Sequence, residues 1–277
     1  MMFKPSIPVL MYHHVRPGAG MIASTPENFE DQLRWLKKED YRSLTLDEFA
    51  QHLEDKDQGK AVVITFDDGY LDNWVYAFPL LQKYQMKATI FLVTSWLHHG
   101  PVRPVMGQDN VPNCPDHIKC EALINAGHSD EVILRWSEVD AMRQSGLIEF
   151  HSHTHTHTRW DLIPEENKND RIQWELEQSR LHLQKELGEA SRHLCWPQGY
   201  FDEDYIAIAQ KNGFSHLYTT KAFGRNTRNT DNTHIHRFHV RNRPAKTLAK
   251  RIRGGHNPLL APVFNNWKLF TRKLKKQ

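Results

Sequence analysis

The sequence predicts an α/β protein in which about seven to eight short strands and interleaved helices form a distorted (β/α) barrel. Three observations carry this expectation. Short apolar, β-rich runs alternate with amphipathic stretches, the order that parallel strands and crossover helices produce. The run Ala61 to Phe66 is apolar throughout rather than alternating, which marks a strand covered on both faces. Two carboxylates, Asp67 and Asp68, stand where that run stops, at the strand end where such folds hold ligands.

The elements follow in order. Val9 to Tyr12 reads as the first strand. Pro26 to Lys38 is a helix with Phe29, Leu33 and Leu36 on one face and Thr25 or Ser24 as its cap. Thr45-Leu46-Asp47-Glu48 is a capping box that starts the next helix. After strand Ala61 to Phe66 come helix Asn73 to Tyr84 and strand Lys87 to Val93. The region from about 95 to 134 is rich in Pro, Gly, Asn and His, and reads as an irregular insertion that is either a lid or packed decoration. Helix Ser137 to Ser145, strand Leu147 to His153 and a long helix Asn169 to Leu187 with Gly188 as its left-handed cap follow. Strand His193 to Trp196, helix Asp202 to Asn212, strands Ser215 to Thr219 and His234 to Val240, and helix Pro244 to Arg253 complete the series.

Bulk properties narrow the function classes. At 277 residues, 39% hydrophobic and 25% charged, the chain can bury a sizeable core. No apolar run reaches the roughly 18 residues that span a bilayer, and the N-terminal segment lacks a signal-peptide core. The expected location is cytoplasmic, either free or peripheral at the inner face of the membrane. Cys114, Cys120 and Cys195 are an odd count without zinc-ribbon spacing, so free thiols are expected. The net charge of +3 hides an asymmetry: residues 232–277 hold twelve Lys or Arg and no Asp or Glu. That segment reads either as a solvated surface helix or as a partner for an anionic surface. No nucleic-acid motif accompanies it, so no nucleic acid is expected as a partner.

The chemistry rests on two constellations. Asp67 and Asp68 would point to opposite faces of an extended strand, and both reach one site only if the chain turns, which Gly69 permits. One could then hold a metal and the other act as a base; the alternative is that one caps the following helix. The second constellation is His151-Ser152-His153-Thr154-His155-Thr156-His157. Histidines four apart lie about 13 Å from each other on a straight strand, so shared coordination requires the strand to end and the chain to coil. His151 with His155 and His153 with His157 both satisfy that spacing.

Here the chain resembles the polysaccharide deacetylase family, the NodB-homology group that removes acetyl groups from glycans, over most of residues 8–240. Thr65-Phe66-Asp67-Asp68-Gly69 is similar to its T-F-D-D-G motif, and His153-Thr154-His155-Thr156-His157 to its H-[ST]-x-x-H motif. Val9 to Val15 and Ala88 to Phe91 look like its recurrent first and post-motif strands. The resemblance implies a NodB-type barrel, Asp67 as general base, and Asp68, His153 and His157 as ligands of a divalent ion. Zn2+ is the expected ion, with Co2+, Ni2+ or Mn2+ as alternatives. It also implies an N-acetylated glycan as substrate, and a basic C-terminal tail on an anionic membrane would make that substrate a lipid-linked glycan precursor.

The family's R-x-P-x-G motif reads Cys195-Trp196-Pro197-Gln198-Gly199, so a cysteine stands where an arginine usually orients the base. Trp196 is expected as a wall for the acetyl methyl or as core, and the Gln198 N–H as an oxyanion donor beside Pro197 and Gly199. The late histidine that serves as general acid falls among His234, His236 and His239, with His239 preferred. His13 or His14 also approaches the site, His13 being grouped with the substrate-binding set. The lost arginine keeps a second class open, a non-catalytic sugar-binding relative. The expected organisation is a catalytic domain over 1–255 and a basic amphipathic tail over 256–277. That tail carries Leu259, Leu260, Val263, Phe264, Trp267, Leu269, Phe270 and Leu274 beside its lysines and arginines, a pattern suited to an anionic membrane.

Overall fold

The computed structural model describes residues 6–54, 59–228, 230–257 and 259–274. The strands are β1 (Val9–Tyr12), β2 (His14–Val15), β3 (Ala23–Ser24), β4 (Arg42–Ser43), β5 (Ala61–Phe66), β6 (Ala88–Leu92), β7 (Ile148–Ser152), β8 (His193–Cys195), β9 (His216–Tyr218) and β10 (Phe238–His239). The helices are α1 (Pro26–Lys38), α2 (Leu46–Leu53), α3 (Phe78–Tyr84), α4 (His117–Asn125), α5 (Trp136–Gln144), α6 (Lys168–Leu187), α7 (Glu203–Lys211), α8 (Ala245–His256) and α9 (Ala261–Leu274).

The main sheet runs β10-β1-β5-β6-β7-β8-β9, all parallel, with β4 also paired to β5. An isolated parallel bridge from Tyr218 to Ile235 brings β9 close to the segment that enters β10, which itself pairs with β1. The sheet therefore curls into a distorted barrel. Parallel pairing requires crossovers, and α1, α3, α5, α6 and α7 supply them.

Several local signals operate as expected. Thr45 and Glu48 form the reciprocal capping box of α2, Thr25 caps α1 through the Asn28 N–H, and Gly188 ends α6 at φ 81°. Between β5 and α3 the expected single helix is divided, since Asn73–Ala77 forms a π-helical turn before Phe78. The strand expected over His234–Val240 shrinks to Phe238–His239, because the Asn226 side chain takes both backbone groups of His236.

The insertion is ordered and packed. Arg103 donates to both carboxylate oxygens of the fully buried Glu138 and to the carbonyls of Asp130 and Ile133. Cys114, Cys120, Val132, Ile133 and Leu134 join the main hydrophobic core. Removing either partner of the Arg103–Glu138 pair would leave a buried charge, at a cost of about 3–5 kcal/mol.

The barrel interior holds Val9, Val63, Phe91, Cys195, Tyr218 and Ile235, with Leu46 and Phe49 of α2 closing the end where the strands begin. The opposite end, where the strands stop, stays polar. His13, Asp67, Asp68, His153, Pro197–Gly199 and His239 all lie there, at or just beyond strand C-termini.

Candidate active site

The turn after β5 is built by two successive left-handed residues, Asp68 at φ 75° and Gly69 at φ 78°. A Cβ on Gly69 would lie 2.8 Å from Leu92 Cδ2, so both its conformation and its space favour glycine. The turn sends the two carboxylates to different partners, though both are buried.

Asp67 faces Arg237. The guanidinium donates from Nη1 to Asp67 Oδ1 at 2.6 Å and from Nη2 to Oδ2 at 2.9 Å. It is further fixed by Thr219 O, Thr65 Oγ1 and the Cys195 sulfur, the last at 2.8 Å. Arg237 comes from the residue before β10 and is 1% exposed, and the small Cys195 side chain leaves room for it. None of the sequence motifs points to this arginine. Burial raises the Asp67 carboxyl, but the Arg237 charge outweighs it and holds Asp67 below the usual carboxylate range.

Asp68 faces the histidine run. Strand β7 stops at Ser152, and Thr154 and His157 then adopt φ 67° and 65°, coiling the chain as shared coordination demands. Asp68 Oδ1 lies 3.3 Å from His153 Nε2 and 3.5 Å from His157 Nε2. His153 Nδ1 is held by Cys195 O at 2.8 Å, which turns Nε2 toward the carboxylate. Glu175 of α6, fully buried, accepts from the His155 and Thr156 N–H groups and from Trp160 Nε1, and so fixes the loop.

His151 and His155 point elsewhere, to Ser191 Oγ and Thr94 Oγ1 respectively. Burial pushes His157 down to about 4, and it also works against the charge on His153, where Cys195 and Asp68 prevail and raise it. Asp68 is held low despite its burial by the histidines around it.

These residues fit a divalent ion. Asp68, His153 and His157 each offer one ligand atom, all within 4.8 Å of one another, and Asp68 Oδ1 is a buried atom with no hydrogen-bond partner. A second set, Asp67, His153 and Cys195, meets the same distance test, but Arg237 already occupies both Asp67 oxygens and the Cys195 sulfur. The first set is the better cation site.

The remaining expected residues separate. His13 Nε2 is 3.8 Å from Asp67 Oδ2, whereas His14 turns away, bonds Asp72 at 2.6 Å and stacks on Tyr70. His239 shares the inner face with Arg237, and its ring centroid is 6.2 Å from that of His13. Burial, aided by the charges of His13 and Arg241, pushes His239 down to about 4. His236 is directed to Lys221 O and His234 to Asp231, so neither joins the site.

Trp196 is a core residue rather than a pocket wall: at 1% exposure it stacks on Phe201 and packs on Tyr205. Pro197–Gly199 forms one tight turn beyond β8, with Gln198 at φ 53°. The Gln198 side chain reaches outward to Arg159, and a Cβ on Gly199 would lie 2.1 Å from Thr220 Oγ1.

A family model described as polysaccharide deacetylase matches residues 54–217, more than half of the chain. The chain belongs to the polysaccharide deacetylase family. Among its relatives is the poly-β-1,6-N-acetyl-D-glucosamine N-deacetylase of Staphylococcus epidermidis, 31% identical over 243 residues that cover 83% of this chain and 72% of that one. The corresponding enzyme of Staphylococcus aureus is 27% identical over 241 residues, covering 82% and 71%. The Streptococcus pyogenes deacetylase PplD, solved with acetate, shares the fold at TM-score 0.71 and 22% identity, covering 90% of this chain and 98% of that one. IcaB from Ammonifex degensii does so at TM-score 0.70 and 22% identity, covering 89% and 97%. For a polysaccharide deacetylase, the convergence of a fixed carboxylate and an Asp-His-His set at one barrel mouth is the chemically relevant feature.

Proposed function

We propose that this protein removes the acetyl group from N-acetylglucosamine units of a polysaccharide, and that a β-1,6-linked polymer is the substrate class to expect. The observation that carries the reading is the pairing at the barrel mouth of an orphaned Asp68 oxygen facing two histidines with an Asp67 locked by Arg237. The kinship with the staphylococcal poly-β-1,6-N-acetyl-D-glucosamine N-deacetylases supports the choice of sugar.

Asp68, His153 and His157 would hold the ion, with Zn2+ favoured by two imidazoles and one carboxylate. Bound there, a divalent ion supplies an acidified water and polarisation of the acetyl carbonyl. Asp67, ionised and held at a fixed angle by Arg237, takes the proton of the attacking water. The Gln198 N–H donates to the carbonyl oxygen as it gains charge. His239 delivers a proton to the departing nitrogen, and acetate and a free amine are the products. In the free protein His239 is neutral at pH 7, so it acquires that proton during turnover.

The test is acetate release by the metal-loaded protein from poly-β-1,6-N-acetylglucosamine, from its short oligomers and from lipid-linked N-acetylated glycans. Release from the polymer or its oligomers supports the reading. Release from lipid-linked glycans alone moves the substrate to a membrane precursor, and no release from any of them contradicts deacetylase activity.

A further inference from the structure

The C-terminal helix is fixed to the body by one face and left uncovered on the other. Ala261 is fully buried, the Asn265 side chain donates to Gly255 O, and the Phe264 ring lies against Gly254, so close that a Cβ there would meet it at 2.8 Å. These contacts hold α9 on α8. They leave Leu260, Val263, Trp267 and Phe270 outward, 57%, 75%, 55% and 61% exposed, with Leu259 at 66% beside them. Spacings of three and four residues place these side chains in one stripe. A contiguous stripe of large apolar residues marks a contact surface, where a single exposed leucine would not.

Charge identifies the partner. Beside the stripe lies a groove of about 600 Å³ between α1, α8 and α9, whose apolar floor includes Trp35, Ala249 and Phe264. Lys246, Lys250 and Arg253 stand on its rim, and Arg253 also pairs at 3.1 Å with Glu39, which caps the C-terminus of α1. From residue 232 to 277 the sequence has twelve basic and no acidic residues. Aromatic and aliphatic side chains that project as a ridge enter an acyl layer, while lysines and arginines at the same level meet anionic headgroups. No helix among the described residues is long and apolar enough to cross a membrane, so contact of this kind is interfacial.

We propose that the α8–α9 face docks the protein on an anionic phospholipid bilayer, with the Leu260–Phe270 stripe inserted at the interface and the Lys246–Lys250 rim on the headgroups. This surface is separate from the barrel mouth and does not depend on the substrate assignment.

The test is co-sedimentation of the full chain with phosphatidylglycerol–phosphatidylcholine vesicles and with pure phosphatidylcholine vesicles. The variants are Val263→Asp/Trp267→Asp/Phe270→Asp and Lys246→Glu/Lys250→Glu, all at exposed positions. Thermal melting and acetate release from a soluble oligosaccharide report an intact fold and site. Docking predicts binding to the anionic vesicles, little to the neutral ones, and a loss of about tenfold or more in both variants with melting unchanged. Equal binding to both vesicle types, undiminished binding of either variant, or no vesicle binding would overturn it. So would a stripe-dependent dimer in sizing without vesicle binding, which would assign the face to a second copy of the chain.

Discussion

The two ends of the barrel carry similar side chains and differ in how those side chains are used. On one side, His193 and His216 open β8 and β9 and His151 of β7 lies beside His193, with ring centroids 4.7 and 5.0 Å apart, next to Glu149 and Asp47. There the hydrogen bonds run laterally: His193 bonds Asp47 and Tyr218, Glu149 accepts from Thr89 and the Leu46 N–H, and His151 bonds Ser191, while the buried Nε2 atoms of His151 and His216 have no hydrogen-bond partner among the described residues. Where the strands end, the histidines and carboxylates converge instead. Among the described residues, the sets of three whose ligand atoms fall within 4.8 Å are both at that end. Residue type and burial are thus shared, and convergence on one point distinguishes a site from a histidine-rich seam.

The sharpest way to break this comparison is to remove one buried side chain at each end. Asp68→Ala or His153→Ala is expected to abolish metal content and to lower acetate release by at least about 10³-fold. His193→Asn at the opposite end should leave both near the starting level. Equal losses at the two ends, measured by metal analysis and acetate release, would erase the distinction.

Arg237→Lys comes next, since a lysine cannot reproduce the two parallel bonds to Asp67. A fall of about 10²-fold in kcat is expected with metal content retained. Arg237 holds the Asp67 pKa down, so weakening it should move the acidic limb of the kcat/KM profile to higher pH. An unshifted limb would dissociate Arg237 from the base. Glu175→Gln, which loosens the loop between His153 and His157, should cost about tenfold in metal affinity or activity.

The smallest effect tests the strand-start end. His193 and His216 are buried, and burial pushes them down to about 3 and about 4. Their folded values lie below the ordinary histidine range, so between those values and about 6.5 the unfolded chain binds more protons. Stability from these two residues is therefore present above pH 6.5 and is lost as pH falls through the window toward 4. The expected loss between pH 7 and pH 5 is about 1–2 kcal/mol per histidine. Thermal melting of His216→Gln against pH should show a shallower decline than the parent; the same slope would contradict the assignment.

Strand and helix positions were legible because their signals are local. Ala61–Phe66, Pro26–Lys38 and Gly188 each announce themselves by apolar run, periodicity or cap. The candidate ligand pair His153 and His157 was legible only through a motif, since spacing alone allows His151 with His155 equally well. What separates the pairs is backbone conformation at Thr154 and His157, and positive φ at such residues leaves no trace in composition. Arg237 was not legible from the motifs, because the family pattern places the arginine that supports Asp67 at position 195, where this chain has a cysteine. Its signal was nevertheless present: two residues before His239, it shares a strand face with that histidine. The packing of the insertion depends on Arg103 meeting Glu138, a long-range pair that local patterns do not encode.

The division of labour between the adjacent carboxylates is the central claim, and one paired measurement tests it. Metal stoichiometry and acetate release are determined together for Asp67→Asn and Asp68→Asn. The account predicts that Asp67→Asn keeps about one divalent ion per chain and releases no acetate, while Asp68→Asn loses both. Metal loss in Asp67→Asn with retention in Asp68→Asn, or acetate release surviving in Asp67→Asn, would contradict it.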